Sequence, residues 1–265
     1  MLIGVDCSAP LAERREVRVI GTPATQLSLT DGHIIQAGTH ATFRYDGAER
    51  RRPWAHYLAQ PGTLEVLGKA SEESLATGFL HGPENAAALD LGAVSMRALD
   101  AIQRSERLDH NPPFRGRRTR LRWSAEPSDG AQEVIFTLAA DGLRTVRLRA
   151  AEPDPRAIAD FCADLALHDW LLSTLLDLVD RAVARRRPAA ELIGMLRPGI
   201  DHLVHAWMPA AHASRNLDAI WQELDLRTGF SLQWQKTVER IRDQLSVGLI
   251  EALRPVAESP RSESA

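Results

Sequence analysis

The spacing of apolar residues changes once along this chain, at "AAEPDP" (150–155), and that change governs what the chain can build. Before it, short stretches alternate with a period of two. After it, apolar residues return every three or four positions, the helical period. Two prolines mark the junction. The chain therefore reads as α+β: a β-hairpin-rich part with one or two helices over 1–150, then a bundle of about four helices over 151–255. Residues 256–265, "VAESPRSESA", read as a solvated, disordered tail.

Three of the Asp-Gly pairs in the first part mark expected hairpin turns. Asp31-Gly32 lies between "TQLSLT" and "HIIQAG", Asp46-Gly47 follows "THATFRY", and Asp141-Gly142 separates "EVIFTLAA" from "LRTVRLRA". Asp-Gly suits the positive φ angles of a type I′ hairpin turn. Further strands are expected at 17–20, 63–67 and 119–124. One helix is expected in "PENAAALDLGAVSMRALDAIQRSERL", starting near Pro83, with Leu91, Val94, Ala98, Leu99 and Ile102 on its stripe.

In the second part, Ile158, Phe161, Leu165, Leu172, Leu175, Val179 and Val183 form one face of a long helix. Asp154 is its expected cap and Pro155 its first residue. A second helical region spans 189–207, broken or restarted at "RPG" (197–199). A third runs from Ser214 to Leu226. A fourth starts at Ser231, with Trp234, Val238, Ile241, Leu245 and Leu249 in line.

Composition narrows the function classes. The net charge is −3, with 19 basic and 18 acidic residues in 1–150. Neither half carries the bulk positive field that non-specific nucleic-acid binding needs, so nucleic acid is not an expected partner. All but two of the basic residues, Lys69 and Lys236, are arginine. Codon bias in a GC-rich genome explains that without appeal to function. Cys7 and Cys162 are far apart and form no C-x-x-C pair, which argues against a disulfide framework and a cysteine zinc site. No signal peptide or apolar run long enough to span a bilayer is evident, so a cytoplasmic location is expected, without a membrane partner. There is no G-x-G-x-x-G, Walker loop, G-x-S-x-G or H-E-x-x-H. No cofactor and no catalytic residue is assigned, and the enzyme question leans towards no.

Three residue groups are candidate sites. The first is "DHLVHAWMPAAH" (201–212). His202 and His205, spaced i, i+3, share a helical face and suit metal ligation geometrically. They flank the apolar stripe Ile193, Leu196, Ile200, Leu203 and Trp207, and no glutamate base accompanies them. A solvated helix flank is the preferred reading. His168, in "LALHDWLL", falls on the apolar seam itself and reads as a buried histidine paired with a carboxylate of a facing helix. His168, His202 and His205 are the candidate metal ligands, and their convergence on one cavity would favour a metal-dependent enzyme.

The second group is Trp170, Trp207, Trp221 and Trp234, one per expected helix. They read as core or as protein-interaction anchors. The third is arginine-rich. Strand alternation puts Arg118, Arg120 and Arg122 on one face, and Arg147 and Arg149 also share a face. In one sheet and in register, the five would line an anion-binding surface for phosphate or nucleic acid. A solvated face neutralised by Glu126 and Glu133 is the preferred alternative.

"GVDC" (4–7), "RRPWAHYLAQPG" (51–62), "FCADLALHDWLLSTLL" (161–176), "LRPGIDHLVHAWMP" (196–209) and "WQKTVERIRDQL" (234–245) together resemble an uncharacterised family of actinobacterial proteins. Members tend to be encoded beside a ParA-like ATPase and a methyltransferase-like protein. The resemblance implies a component of a multi-protein module, with the ATPase as a partner, and assigns no chemistry. It also implies a further segment ahead of "GVDC". The resulting expectation is a non-catalytic cytosolic interaction or adaptor protein.

Overall fold

In the computed structural model, residues 2–3, 18–46, 52–65, 71–81, 90–107, 113, 116–128, 132–151, 154–183, 188–209 and 215–257 are described. The fold is α+β, with strands early and helices late. The chain divides into two compact units. The sheet unit comprises Met1–His110, Thr119–Ala166 and Ala210–Thr228, and the helical unit comprises Asn111–Arg118, Leu167–Pro209 and Gly229–Ala265.

The sheet unit is built on seven strands: β1 (Leu2–Ile3), β2 (Arg18–Thr30), β3 (Ile34–Asp46), β4 (Leu64–Glu65), β5 (Leu121–Pro127), β6 (Glu133–Leu138) and β7 (Arg144–Ala150). Their order is β4-β2-β3-β1-β5-β7-β6. Two three-stranded leaves, β4-β2-β3 and β5-β7-β6, are thus joined through the two residues of β1. All pairings are antiparallel except β5 with β7. The parallel pair arises because β5 reaches β7 only by way of β6.

Asp31-Gly32 turns the β2–β3 hairpin as expected. Asp31 has φ 51° and Gly32 φ 68°, both positive, and the His33 N–H donates to the Thr30 carbonyl at 3.1 Å. "HIIQAG" and "THATFRY" are one continuous 13-residue strand. Gly47 lies outside the described residues, so the second expected turn does too. Asp141-Gly142 does join β6 to β7, but only Gly142 has positive φ, 81°. Gly142 N–H bonds to the Ala139 carbonyl at 2.9 Å, and Leu138 pairs with Arg144. The loop is the longer form, in which a single left-handed glycine closes the turn.

Among the described residues, three helices rather than one or two belong to the first part: α1 (Trp54–Ala59), α2 (Glu72–His81) and α3 (Leu91–Gln103). α3 starts at Leu91, where Asp90 caps the Gly92 N–H at 2.8 Å. Pro83 lies outside the described residues. Val19, Ala41 and Phe43 of the first leaf form a core with Leu75, Ala76 and Phe79 of α2 and Leu91 of α3. Of the expected α3 stripe Leu91 is buried and Val94 exposed, because α3 lies along β3 and leaves its outer side free.

The remaining helices are α4 (Pro155–Val183), α5 (Ala189–His202), α6 (Arg215–Thr228) and α7 (Phe230–Ala257), with a 3-10 turn at Val204–Ala206. α4 begins where expected: the Asp154 carboxylate accepts from the Arg156 N–H at 3.1 Å, and Pro155 occupies the first turn. Its expected face is buried except at Val183. Arg185–Arg187 and Ser214 lie outside the described residues. α5 runs through Pro198 without the expected break. Its Gly199 packs so closely on α4 that a Cβ there would sit 2.5 Å from Leu178 Cδ2. That tertiary contact overrides the single hydrogen bond proline removes. α7 continues to Ala257, two residues into the expected tail, and 258–265 lie outside the described residues.

The division into units does not follow the junction at 150–155. It falls within α4, between Ala166 and Leu167. The first turns of α4 serve the sheet: Gln36 Nε2 donates to the Ala163 carbonyl at 3.0 Å. α6 returns to the same unit along β6, where Arg227 Nη1 donates to the Val134 carbonyl at 3.2 Å. The four expected helices exist, but they are shared between two units rather than gathered in one bundle.

Candidate functional site

Two of the four tryptophans, Trp221 and Trp234, are buried, and Trp170 and Trp207 are half-buried. Trp221, 6% exposed, meets Phe161 edge to face at 6.1 Å within the sheet unit. In the helical unit Trp207 stacks on Trp234 with centroids 4.3 Å apart and planes 9° from parallel. Trp234 is buried as well. Trp170 Nε1 donates to the Arg117 carbonyl at 2.9 Å, and a Cβ on Gly116 would lie 2.7 Å from the Trp170 ring. The indoles thus hold each unit together, and the buried pair Trp221 and Trp234 cannot meet a partner. Trp221 and Trp234 are core residues, whereas Trp170 and Trp207 keep a partly open surface.

His168 is buried, as its place on the seam implies. The Met208 backbone N–H donates to His168 Nε2 at 3.2 Å, and the imidazole meets Trp207 edge to face at 4.9 Å. An N–H donor at Nε2 places the ring proton on Nδ1. The ring ties the segment after the 3-10 turn to α4. His202 ends α5, half-buried, and His205 stands exposed in the 3-10 turn. Asp201 is engaged by Arg197 at 3.2 Å. His212 lies outside the described residues. Among the described residues no three His, Cys, Asp or Glu side chains gather so as to hold a metal ion.

Register decides the arginine question. β5 starts at Leu121, so Arg118 and Arg120 precede it, both exposed. Arg118 belongs to the stretch 111–118 of the helical unit. In the parallel pair Arg122 stands beside Thr145, Ser124 beside Arg147 and Glu126 beside Arg149. Arg122, Arg147 and Arg149 therefore share a face, and acids share it with them. Arg147 Nη2 donates to Glu126 Oε1 at 2.9 Å, and Arg149 lies 3.7 Å from both Glu126 and Glu133. Arg122 Nη1 donates to the Phe79 carbonyl of α2 at 3.3 Å and reaches Asp90 at 4.0 Å. Three guanidiniums meet three carboxylates, so this face offers a phosphate little net attraction. The five-arginine surface does not form: two members lie ahead of the strand and the other three are neutralised.

Burial shifts two further titratable groups, Cys162 fully enclosed and His40 half-buried. Burial pushes the Cys162 thiol well above its ordinary pKa, which suits packing rather than nucleophilic work. His40 is lowered by burial, partly opposed by the charge of Asp160. Its ring lies 6.1 Å from Trp123.

An exposed aromatic and aliphatic pair lies on α1. Trp54 is 82% exposed and Leu58 80%. Spaced i, i+4, they share one helical face, and Trp54 meets Tyr57 edge to face at 6.1 Å. A solvated tryptophan beside a solvated leucine is the composition of an interface anchor. Sequence periodicity misses it, because α1 has only six residues and shows no repeating stripe. No helix among the described residues is long and apolar enough to cross a membrane. Comparison with protein families, curated proteins and solved structures finds no match for this chain.

Proposed function

We propose that this protein is a non-catalytic interaction component of a multi-protein module, and that α1 presents its partner contact. The observation that carries the reading is the exposure of Trp54 together with Leu58 on one face. Tryptophan dominates interface energetics, and leaving one in water has no benefit for the isolated fold. The neutralised arginine face and the dispersed histidines lend no support to the two alternatives, a phosphate or nucleic-acid binder and a metal-dependent enzyme. The resemblance of "RRPWAHYLAQPG" to the actinobacterial family makes the ParA-like ATPase the first partner to test.

The experiment is affinity capture of tagged full-length protein under reversible cross-linking, followed by direct titration with the captured ATPase. Trp54→Ala weakens binding about 30-fold or more, the loss typical of an anchor residue. Leu226→Ala, at an 87% exposed position on α6, leaves it unchanged. Unchanged titration in Trp54→Ala overturns the reading, as does turnover of a substrate by the protein alone.

A further inference from the structure

β2 and β3 pair in unbroken register from Arg18–Asp46 to Thr30–Ile34. β4 covers only Ile20 and Gly21 on the other side of β2. Among the described residues, Thr22–Thr30 therefore has a ladder partner on its β3 side alone. These nine residues present roughly 30 Å of backbone with one row of N–H and C=O groups unpaired by any strand among the described residues. Leu27 is 44% and Leu29 56% exposed. Sheet edges of this length are ordinarily blunted by charge, proline or a bulge. Here the register holds no bulge, no charged residue occurs between Thr22 and Thr30, and the one proline, Pro23, sits at the inner end.

We infer that the outer edge of β2 pairs antiparallel with the same edge of a second copy of this chain. Charge selects that occupant. An uncharged strand gains nothing from a charged peptide, and against itself it opposes no like charges. Centred on Gln26, the middle of the stretch, a two-fold pairing sets Asp31 against Gly21 of the second copy. Leu27 then faces Thr25 and Leu29 faces Pro23. Odd-numbered residues of both copies share one side of the joined sheet, so four leucines form a single apolar strip. A two-fold edge also supplies the backbone donors and acceptors it lacks, in matching alternation except at Pro23, which has no N–H. Nine residues bury less than the roughly 800 Å² per partner of a permanent dimer, so the association is reversible and depends on concentration. This inference uses a surface distinct from the Trp54 face.

Sedimentation velocity of the full chain over about three decades of concentration tests it. The mass rises from 29.3 kDa towards twice that value. Leu27→Lys with Leu29→Lys shifts the midpoint about tenfold or more to higher concentration, since edge lysines oppose strand pairing. Gln26→Lys, on the opposite side of the strand, produces the same shift because it sets two like charges face to face. Circular dichroism and melting confirm that these exposed substitutions leave the fold intact, and either variant alone suffices if the other fails to fold. Trp54→Ala leaves the mass unchanged, which keeps this inference separate from the partner reading. A mass of 29.3 kDa at every concentration overturns it. So does a dimer indifferent to lysine at 26, 27 and 29, or one abolished by Ile250→Lys on α7.

Discussion

Gly21 and Phe43 stand directly opposite each other in the β2–β3 ladder, and the phenyl ring occupies the space a side chain on Gly21 would need. A Cβ there would lie 2.5 Å from Phe43 Cε1 and 2.6 Å from Cδ1. Phe43 is 5% exposed and packed with Val19, Ala41 and Leu75, so the ring has no open direction in which to retreat. Gly21→Ala is expected to cost about 1–3 kcal/mol through overpacking. Phe43→Ala is expected to cost about 3–5 kcal/mol through the cavity it leaves. Urea denaturation reads both, and a Gly21→Ala variant as stable as the parent refutes the close-packing account.

His168 is expected to matter for stability rather than for turnover. His168→Ala leaves the Met208 N–H without its acceptor and removes the ring beside Trp207. The unpaired donor alone costs about 1–3 kcal/mol. Trp207 and Trp234 are stacked nearby, so tryptophan emission of the folded protein should change with the substitution. A variant with parental stability and emission would mean that the hydrogen bond contributes nothing.

His40 sets a pH dependence whose sign follows from burial. Its folded pKa is lowered from the ordinary histidine value, desolvation outweighing Asp160. The unfolded chain therefore binds the proton first as pH falls. Stability from this group is complete above about pH 6.5 and declines as pH drops through the folded value. Melting temperatures measured between about pH 7.5 and 5 should fall more for the parent than for His40→Gln. Parallel curves for the two proteins would contradict the assignment.

Cys162 should resist alkylation in the folded protein. Burial denies access and raises the thiol pKa, so little thiolate exists at neutral pH. Mass mapping after iodoacetamide treatment is expected to find Cys162 unmodified in buffer and modified in denaturant. Rapid native modification would show that α4 opens there.

Local chemistry made much of this fold readable. Asp31-Gly32 and the pair Asp154-Pro155 act through neighbouring backbone angles and caps, so a few residues suffice to announce them. Pro198 misleads because its effect is settled by Gly199 lying against Leu178 rather than by the proline. Alternation alone puts Arg147 on the face of Arg149, whereas Arg122 joins them, and Glu126 neutralises them, only through the parallel register of β5 and β7, which no local pattern encodes. Trp170, Trp207, Trp221 and Trp234 fall in the helical half that periodicity reveals. The exposed Trp54 lies on a six-residue helix where periodicity has no room to show.

The sheet unit is discontinuous in the chain, which leaves it at Ala166 and rejoins it at Ala210. During synthesis, Phe161 emerges well before Trp221, the ring it meets edge to face. Until that later stretch leaves the ribosome, β6 and the first turns of α4 lack the helix that packs on them. A nascent chain halted near residue 200 would be a natural client for chaperones.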